Sequence, residues 1–292
     1  DIWTCGTHIV LMSHVAAGAV TNPGLLWRWA TDWRMGLSGL SNGILQLMHP
    51  GLGAGVADHS DFFADPWSRI NRSLGPIVAS IRDDETAHSI KEMHRRISGV
   101  DANGNKYHAL NPEIFWWAHI TLYRAAEQAA RRFSAEGLSP SERESMYAEG
   151  VIWYQRYGVS DRNVPETCRD YTDRFRQTCT ETLEMTPAAE RAVDMALHGR
   201  VEGMVQLPRW AANPIELAVT PTARLTAIGG LPAVVRRRFD IPWSIADDLQ
   251  YRSLIIAARG GSRLMPEGLK RISMIRLAER SRIPAGAMGN AA

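Results

Sequence analysis

The feature that most constrains the fold of this chain is a helix start signal that recurs five times. In each copy, a residue whose side chain can cap a helix stands directly before a proline: Asp65-Pro66, Asn111-Pro112, Ser139-Pro140, Thr186-Pro187 and Asn213-Pro214. The capping side chain accepts a hydrogen bond from a free backbone N–H of the first turn, and proline suits the first helical position because it has no N–H to satisfy. Five such starts predict an all-α protein.

Hydrophobic periodicity extends the helical prediction along the chain. Apolar residues recur every three or four positions, which is the spacing of a helix with one face against a core, whereas strand-like alternation is scarce. This spacing predicts helices at 37–48, 66–82, 84–98, 112–134, 140–157, 165–183, 187–198, 214–228, 231–239, 243–259 and 266–280. Residues 101–107 are predicted to form a turn-rich loop between two of these helices.

The helical periodicity is lost between Gly199 and Pro214, in a segment that holds two prolines. Such a loss is typical of a boundary between structural units. We therefore predict a helical core at residues 1–200 and a C-terminal helical extension at residues 201–292. The extension is expected to pack on the core as part of one large domain.

Composition limits the classes to which the protein can belong. The 292 residues are 45% hydrophobic and 22% charged, as in globular proteins, and the formal charge of +2 gives no reason to expect a nucleic-acid partner. Three cysteines are too few for a disulfide framework, so we predict a reducing compartment and a cytoplasmic protein. The apolar stretch at residues 9–20 is too short to span a bilayer, and we predict no membrane span.

The helix predicted at residues 112–134 carries the most informative histidine. Polar residues share one side of this helix and apolar residues share the other, with His119 in the middle of the apolar side. A buried imidazole without a hydrogen-bond partner costs roughly 1–3 kcal/mol, so something must satisfy its ring nitrogens. The residues leave two explanations open, a backbone carbonyl or a metal.

A second candidate region, residues 46–62, combines His49, Asp58 and His59 with three closely spaced glycines. Glycines at this density predict a backbone that turns tightly and approaches a bulky group closely. Their spacing does not follow Gly-x-Gly-x-x-Gly, and no predicted strand precedes them, which excludes a dinucleotide-binding motif.

The next helix carries Arg69, Arg72 and Ser73 on one strip. Two guanidiniums and a hydroxyl can hold a carboxylate or a propionate, although surface charges have the same pattern. A competing metal site is indicated by Glu85-x-x-His88, which has the spacing of di-iron carboxylate bundles, but the sequence has no second copy. A zinc hydrolase has still less support, because His-Glu-x-x-His is absent.

Four motifs occur in a fixed order along the chain: Gln46-x-x-His49-Pro50, Gly55-Val-x-Asp58-His59-Ser60-x-Phe62, Asp65-Pro66-x-x-Arg69 and Trp117-x-His119-x-Thr121-Leu122. In order and spacing they resemble the MpaB-like oxygenases, a family that shares its domain with the rubber-cleaving latex clearing proteins. The resemblance covers residues from about 30 to about 260.

The resemblance implies an all-α domain that encloses a b-type haem and uses dioxygen to cleave carbon–carbon double bonds. His119 stands where the family has its haem-ligating histidine, and Arg69-Ile-Asn-Arg72-Ser73 is similar to the family motif Arg-x-x-Lys-Thr. No residue matches the catalytic glutamate of the rubber-cleaving members, and Asp58 is the nearest acid by motif. His49 and His59 could face the distal side, bind a propionate or cap backbone groups.

From this resemblance we predict an enzyme, a haem b-dependent oxygenase that acts with dioxygen on an apolar, unsaturated substrate. His119 is the predicted iron ligand. The predicted catalytic residues are Asp58, His59 and Arg69, and the further predicted cofactor contacts are Arg69, Arg72, Ser73 and His49. A protein that binds haem or an apolar ligand without catalysis is the alternative, and the oligomeric state stays open.

Overall fold

The structure is a computed structural model that describes residues 24–199 and 209–281. Within these ranges the chain is mainly helical, which confirms the predicted all-α fold. A two-stranded antiparallel hairpin, β1 (Ser98–Val100) and β2 (Lys106–His108), stands between the fifth and sixth helices. The α-helices are α1 (Leu25–Ala30), α2 (Gly36–Leu47), α3 (Pro50–His59), α4 (Pro66–Ala79), α5 (Asp84–His94), α6 (Pro112–Arg132), α7 (Pro140–Arg156), α8 (Cys168–Gln177), α9 (Pro187–His198), α10 (Arg209–Gly229), α11 (Ala233–Arg238), α12 (Ile245–Leu264) and α13 (Glu267–Arg280).

Capping hydrogen bonds confirm four of the five predicted helix starts. A side chain accepts from a backbone N–H in the first turn of α4, α6, α7 and α9, the caps being Asp65, Asn111, Ser139 and Thr186. The fifth start is wrong, because α10 begins at Arg209 and Pro214 lies in its second turn. A proline so near the end of a helix removes one backbone hydrogen bond without ending the helix.

The glycine-rich segment is a helix. The predicted tight turn is therefore wrong, since these glycines lie within α3. A close approach is present, but to a backbone carbonyl and a threonine rather than to a bulky group: a Cβ atom on Gly53 would lie 2.3 Å from the carbonyl oxygen of Leu47 and 2.7 Å from Oγ1 of Thr186. The absence of a side chain at Gly53 serves helix packing rather than a turn.

The segment after α5 also differs from the prediction. The helix predicted at 84–98 ends at His94, and the residues from Ser98 form β1 instead. The loop predicted at 101–107 contains the turn of the hairpin, with Gly104 at a φ angle of +83°, and the first two residues of β2. The run Ser98-Gly99-Val100 has low helix propensity, which lets strand pairing replace the last predicted turn.

Helix α6 lies at the centre of the fold. It packs against α1, α2 and α7, and α2 in turn packs against α10. Buried residues occur along α6 from Phe115 to Ala130. The helix that carries His119 is therefore enclosed by neighbouring helices. The last helix of the described ranges, α13, covers α4.

Part of the polar side of α6 is buried as well. Glu127 is 3% exposed and accepts hydrogen bonds from Tyr171 at 3.1 Å and from Arg143 at 3.2 Å. Gln128 accepts a hydrogen bond from Asn42 at 2.7 Å. Because buried polar groups require partners, these bonds hold α6 in one rotation against α2, α7 and α8.

Several predictions fall on residues outside the described ranges. These include Cys5, the apolar stretch at residues 9–20 and most of the predicted boundary, residues 200–208. The division into a core and an extension stays a prediction.

Cys168 and Cys179 are buried free thiols. None of the helices in the described ranges is both long enough and apolar enough to cross a membrane.

Candidate functional site

His119 lies on the buried side of α6 and is 2% exposed. Its Nε2–H donates a hydrogen bond to the carbonyl oxygen of Gly150 on α7, at 3.0 Å. Because a carbonyl only accepts, the neutral ring carries its proton on Nε2 and leaves a lone pair on Nδ1. Nδ1 is buried and has no hydrogen-bond partner within the described residues. One ring nitrogen is thus satisfied by a carbonyl, and the other is available to a metal.

Aromatic rings enclose this imidazole. Its ring centroid lies 4.5 Å from that of Trp153, 5.2 Å from Tyr154, 5.6 Å from Trp116 and 6.0 Å from Tyr157. Burial lowers the pKa of His119 to about 3, against a smaller opposing effect of the hydrogen bond to Gly150. The ring is therefore neutral at pH 7, which is the form that ligates metals.

Asp58 and His59 lie at the exposed end of α3, beside the hairpin. The hydroxyl of Tyr107 donates to Oδ2 of Asp58 at 2.8 Å, and Nε2–H of His59 donates to the carbonyl of Ser98 at 3.2 Å. Burial and the bond to Asp58 raise the pKa of Tyr107 to about 12, so its hydroxyl stays a donor at neutral pH. Asp58 and His59, two of the three predicted catalytic residues, are thus attached to the hairpin.

Arg69, Arg72 and Ser73 lie together on α4. Arg69 donates a hydrogen bond to Oγ of Ser73. Arg72 donates to one carboxylate oxygen of Asp61 at 2.7 Å, and Nε of Arg69 lies 3.8 Å from the other oxygen. The two guanidiniums share one carboxylate, so the strip has the geometry to hold an anion with two oxygens. The arginine side chains are 37% and 52% exposed, which leaves them open to solvent.

A series of ring contacts leads from His94 on α5 to His119. The ring of His94 packs edge-on against Phe115 at 6.1 Å. Phe115 packs against Tyr157 at 5.2 Å, and Tyr157 neighbours His119. His119 therefore lies at the inner end of a layer of packed rings.

His49 lies at the other end of α3 from Asp58 and His59. Ten helical residues separate the two ends by about 15 Å. His49 borders a small cleft of about 20 Å³ between α3, α6 and α8, whose lining includes Trp116, Trp117, Tyr171, Arg174 and Phe175. The histidine is 7% exposed, and its Nδ1 is buried without a hydrogen-bond partner in the described part of the chain.

The predicted site residues thus occupy three places: His119 inside the aromatic shell, the Arg69 strip with Asp58 and His59 at the surface, and His49 at the cleft. The sequence analysis missed the carbonyl of Gly150, because a backbone acceptor leaves no sequence signal. It also missed Tyr171 and Phe175, although their spacing of four residues on a helix was a usable signal.

The described residues contain no group of three or more His, Cys, Asp or Glu side chains that could hold a metal ion. The di-iron alternative requires such a group, so the geometry does not support it. A haem iron has a different requirement, because the porphyrin supplies four ligands and one protein histidine suffices. His119, with one free buried nitrogen, meets that requirement.

Comparison with known families matches residues 27–260 to the family described as ER-bound oxygenase mpaB/B'/Rubber oxygenase, catalytic domain. The matched range agrees closely with the range of about 30 to about 260 that the four motifs indicated. The chain has no significant match among curated proteins or among solved structures.

Proposed function

The chain belongs to the catalytic-domain family of the ER-bound oxygenase mpaB/B' and rubber oxygenase, and from this premise we propose that it is a haem b-dependent oxygenase. The family supports an oxygenase-type function that involves oxygen and an organic substrate. The finer proposal is that haem b is the cofactor and that the substrate is apolar and unsaturated.

The observation that carries the proposal is the state of His119. A histidine that ligates a metal uses one nitrogen for the metal and gives the other N–H to a carbonyl or carboxylate, which fixes the ring. His119 has that arrangement, because Nε2–H is held by Gly150 and Nδ1 has no partner among the described residues. The aromatic shell would exclude water from the iron side, and the low pKa of His119 keeps the lone pair free of a proton.

Arg69, Arg72 and Ser73 are proposed to hold the anionic edge of the cofactor. The way in which Asp61 fits between the two guanidiniums supports this role, since a propionate carries the same two oxygens. Their solvent exposure also suits the edge of a haem, where the carboxylates meet water.

Asp58 and His59 are proposed to transfer protons between solvent and the site. Both side chains are exposed to water, and the Tyr107 hydroxyl holds Asp58 in one orientation. A haem iron, when bound, supplies the capacity to bind and activate dioxygen. The chain's own contributions are to hold the ring of His119, to keep water out and to deliver protons at Asp58 and His59.

An optical spectrum of the purified protein tests the proposal. Protein produced with ample iron and haem precursor should show a Soret band, which should shift when dithionite and carbon monoxide are added. A haem that is six-coordinate and takes up neither carbon monoxide nor dioxygen would instead favour the non-catalytic binding protein. No Soret band under these conditions would overturn the haem proposal.

The ligand assignment has its own test. His119→Ala should lower haem occupancy at least about 10-fold, because the iron loses its protein ligand, and added imidazole should restore part of it. The control is His88→Ala, because His88 is exposed and, among the described residues, bonds only to a carbonyl of its own helix. Equal occupancy in the two variants would show that another residue holds the iron.

A further inference from the structure

Helix α12 carries a row of aliphatic side chains on its outer side. Ile245, Leu249 and Ile256 are 82%, 60% and 68% exposed, and helical spacing places them within about 40° of one another around the axis. The opposite side of the helix is anchored, because Tyr251 and Ala258 are buried in a small hydrophobic cluster. Packing on the inner side therefore holds the three residues, the α12 row, in a position that faces away from the core.

Exposed apolar side chains are concentrated on this helix. Among the described residues twelve large apolar side chains are exposed, and four of them, the α12 row and Leu264, belong to α12. Single exposed apolar residues are ordinary on a protein surface, whereas several on one side of one helix are typical of an interaction surface.

Arginines accompany the α12 row. Arg252 and Arg263 lie on the same side of the helix, and Arg259 lies beside them. The side chain of Arg252 is 71% exposed and pairs with Asp248 at 2.7 Å. The other acid of the helix, Asp247, is buried and bonded to an arginine of α10. One accessible carboxylate thus stands against three guanidiniums, and the surface of α12 is positive as well as apolar.

The charge of the chain is uneven in the same region. Residues 245–281 contain seven basic and four acidic side chains, a net charge of +3, whereas the whole chain has a net charge of +2. The sequence outside the described ranges contains two acidic residues, Asp1 and Glu202, so those segments supply little negative charge. An occupant that matches the α12 row and its arginines is therefore both apolar and anionic.

A second copy of the chain does not fit this description, because it would bring the same positive surface against itself. The α12 row also covers only about 17 Å by 10 Å of helix surface, or roughly 170 Å², whereas a stable dimer buries about 800 Å² per partner. The row projects from a convex helix, so a protein partner would need a groove matched to it. Lipids rearrange around a projecting side chain and need no such groove.

We propose that α12 binds the surface of an anionic membrane. The helix lies in the plane of the headgroups, the α12 row inserts among them, and Arg252, Arg259 and Arg263 meet lipid phosphates. Helices that bind at a membrane surface combine an apolar side with arginine or lysine in this way. The contact requires neither the haem nor the oxygenase reaction, so its failure and the failure of the proposed function can be told apart.

Flotation of the full chain with lipid vesicles tests the proposal. Vesicles of phosphatidylcholine in which about a third of the lipid is phosphatidylserine should bind at least about 10-fold more tightly than phosphatidylcholine alone, because each arginine near an anionic surface contributes. Added salt should weaken the binding. No binding to the anionic vesicles, or equal binding to both kinds, would overturn the proposal.

Substitutions in the α12 row test the apolar contribution. Leu249→Ser with Ile256→Ser should weaken vesicle binding at least about 10-fold and leave the melting temperature nearly unchanged, because both side chains are exposed. Met93→Ser with Ile152→Ser is the matched control, since these side chains are 62% and 51% exposed on α5 and α7. The control should bind like the wild type, and equal binding by the two double variants would refute the role of the row.

Arg263 tests the contribution of charge. Arg263→Gln should weaken binding to the anionic vesicles about 5-fold, whereas Arg263→Lys keeps the charge and should bind like the wild type. Equal losses in the two variants, or no loss in either, would contradict the predicted contact with phosphates.

Two measurements test the other occupants. Sedimentation velocity should show no self-association that depends on the α12 row, and a poly-glutamate peptide should bind more weakly than anionic vesicles because it offers no apolar phase. A dimer that dissociates when Leu249 and Ile256 are replaced by serine would overturn the membrane proposal in favour of a second copy. Tighter binding of the peptide than of the vesicles would overturn it in favour of an acidic protein.

Discussion

Replacement of Glu127 tests the buried network that positions α6 and the cleft wall. Its side chain is 4% exposed, and its carboxylate accepts hydrogen bonds from Tyr171, Arg143 and Arg131 at 3.1 to 3.4 Å. Glu127→Ala leaves the buried Tyr171 hydroxyl without its acceptor, at about 1–3 kcal/mol, and loses about 0.8 kcal/mol from the one buried methylene group that it removes. Together with the charge left on Arg143, the free energy of unfolding should fall by about 3–5 kcal/mol.

Two further variants separate the contributions to this loss. Glu127→Gln keeps the shape and an acceptor for Tyr171 but removes the charge, so we expect a loss of about 1–2 kcal/mol. Arg131→Ala removes a partner that is 51% exposed, and surface ion pairs contribute only about 0–1 kcal/mol. The expected order of stability is therefore wild type, Arg131→Ala, Glu127→Gln and Glu127→Ala.

Equilibrium unfolding in urea measures these differences, provided that the dependence of the free energy on urea concentration stays the same. A loss of 3–5 kcal/mol is a large part of the total stability of a domain, about 5–15 kcal/mol, so it is readily detected. If Glu127→Ala and Arg131→Ala lose the same amount, or if Glu127→Ala loses less than about 1 kcal/mol, the reasoning about a buried network is refuted.

Three other substitutions test features of the fold. Gly53→Ala should lower the free energy of unfolding by about 2 kcal/mol or more, and with it the melting temperature, because the new methyl group meets the Leu47 carbonyl. Gly43→Ala, in open space on α2, should be neutral or stabilising. Arg236→Ala should reduce the free energy of unfolding by about 2–3 kcal/mol, because Arg236 donates to three carbonyls between Ile228 and Leu231. Arg237→Ala, at an exposed side chain, should change the free energy of unfolding by no more than about 0.5 kcal/mol. Equal losses in the two variants would contradict the role given to the carbonyl bonds of Arg236. Asp247→Asn should destabilise α12 by about 1–2 kcal/mol at pH 7, since Asp247 bonds to Arg224 and Ser244. These bonds lower the pKa of Asp247 to about 2. The extra stability of the wild type over Asp247→Asn should therefore be complete above about pH 4 and disappear as pH falls through about 2. A stability difference in thermal unfolding that persists at lower pH would refute this account.

Local chemistry explains which parts of the fold the sequence predicted. A cap and a proline act within one turn, so Asp65, Asn111, Ser139 and Thr186 mark real helix starts. The same rule failed at Asn213, because a helix that has already begun at Arg209 can include a proline in its second turn. Periodicity likewise placed His119 on a buried face, since the spacing of apolar residues along α6 follows from the helix itself.

Packing between distant segments decided the rest. Sequence periodicity divided α6 into a polar and an apolar side, but Glu127 and Gln128 are buried because α2, α7 and α8 bring partners to them. The run Arg236 to Arg238 has the pattern of a solvated surface, yet Arg236 binds the carbonyls at the end of α10. The charge pattern of the sequence does not indicate which backbone carbonyls lie within hydrogen-bond distance of an arginine.

The sequence by itself determined the helical class, the family motifs and the burial of the imidazole of His119. Only the tertiary structure decided that Gly150 holds one nitrogen of this ring, that Asp61 lies between the two arginines of α4, and that His49 borders a cleft formed with Trp117 and Phe175. The physical reason is the sequence separation over which each interaction acts. Capping and periodicity act over a few residues, whereas Gly150 is 31 residues from His119 and Phe175 is 126 residues from His49, so these contacts exist only after the helices have packed.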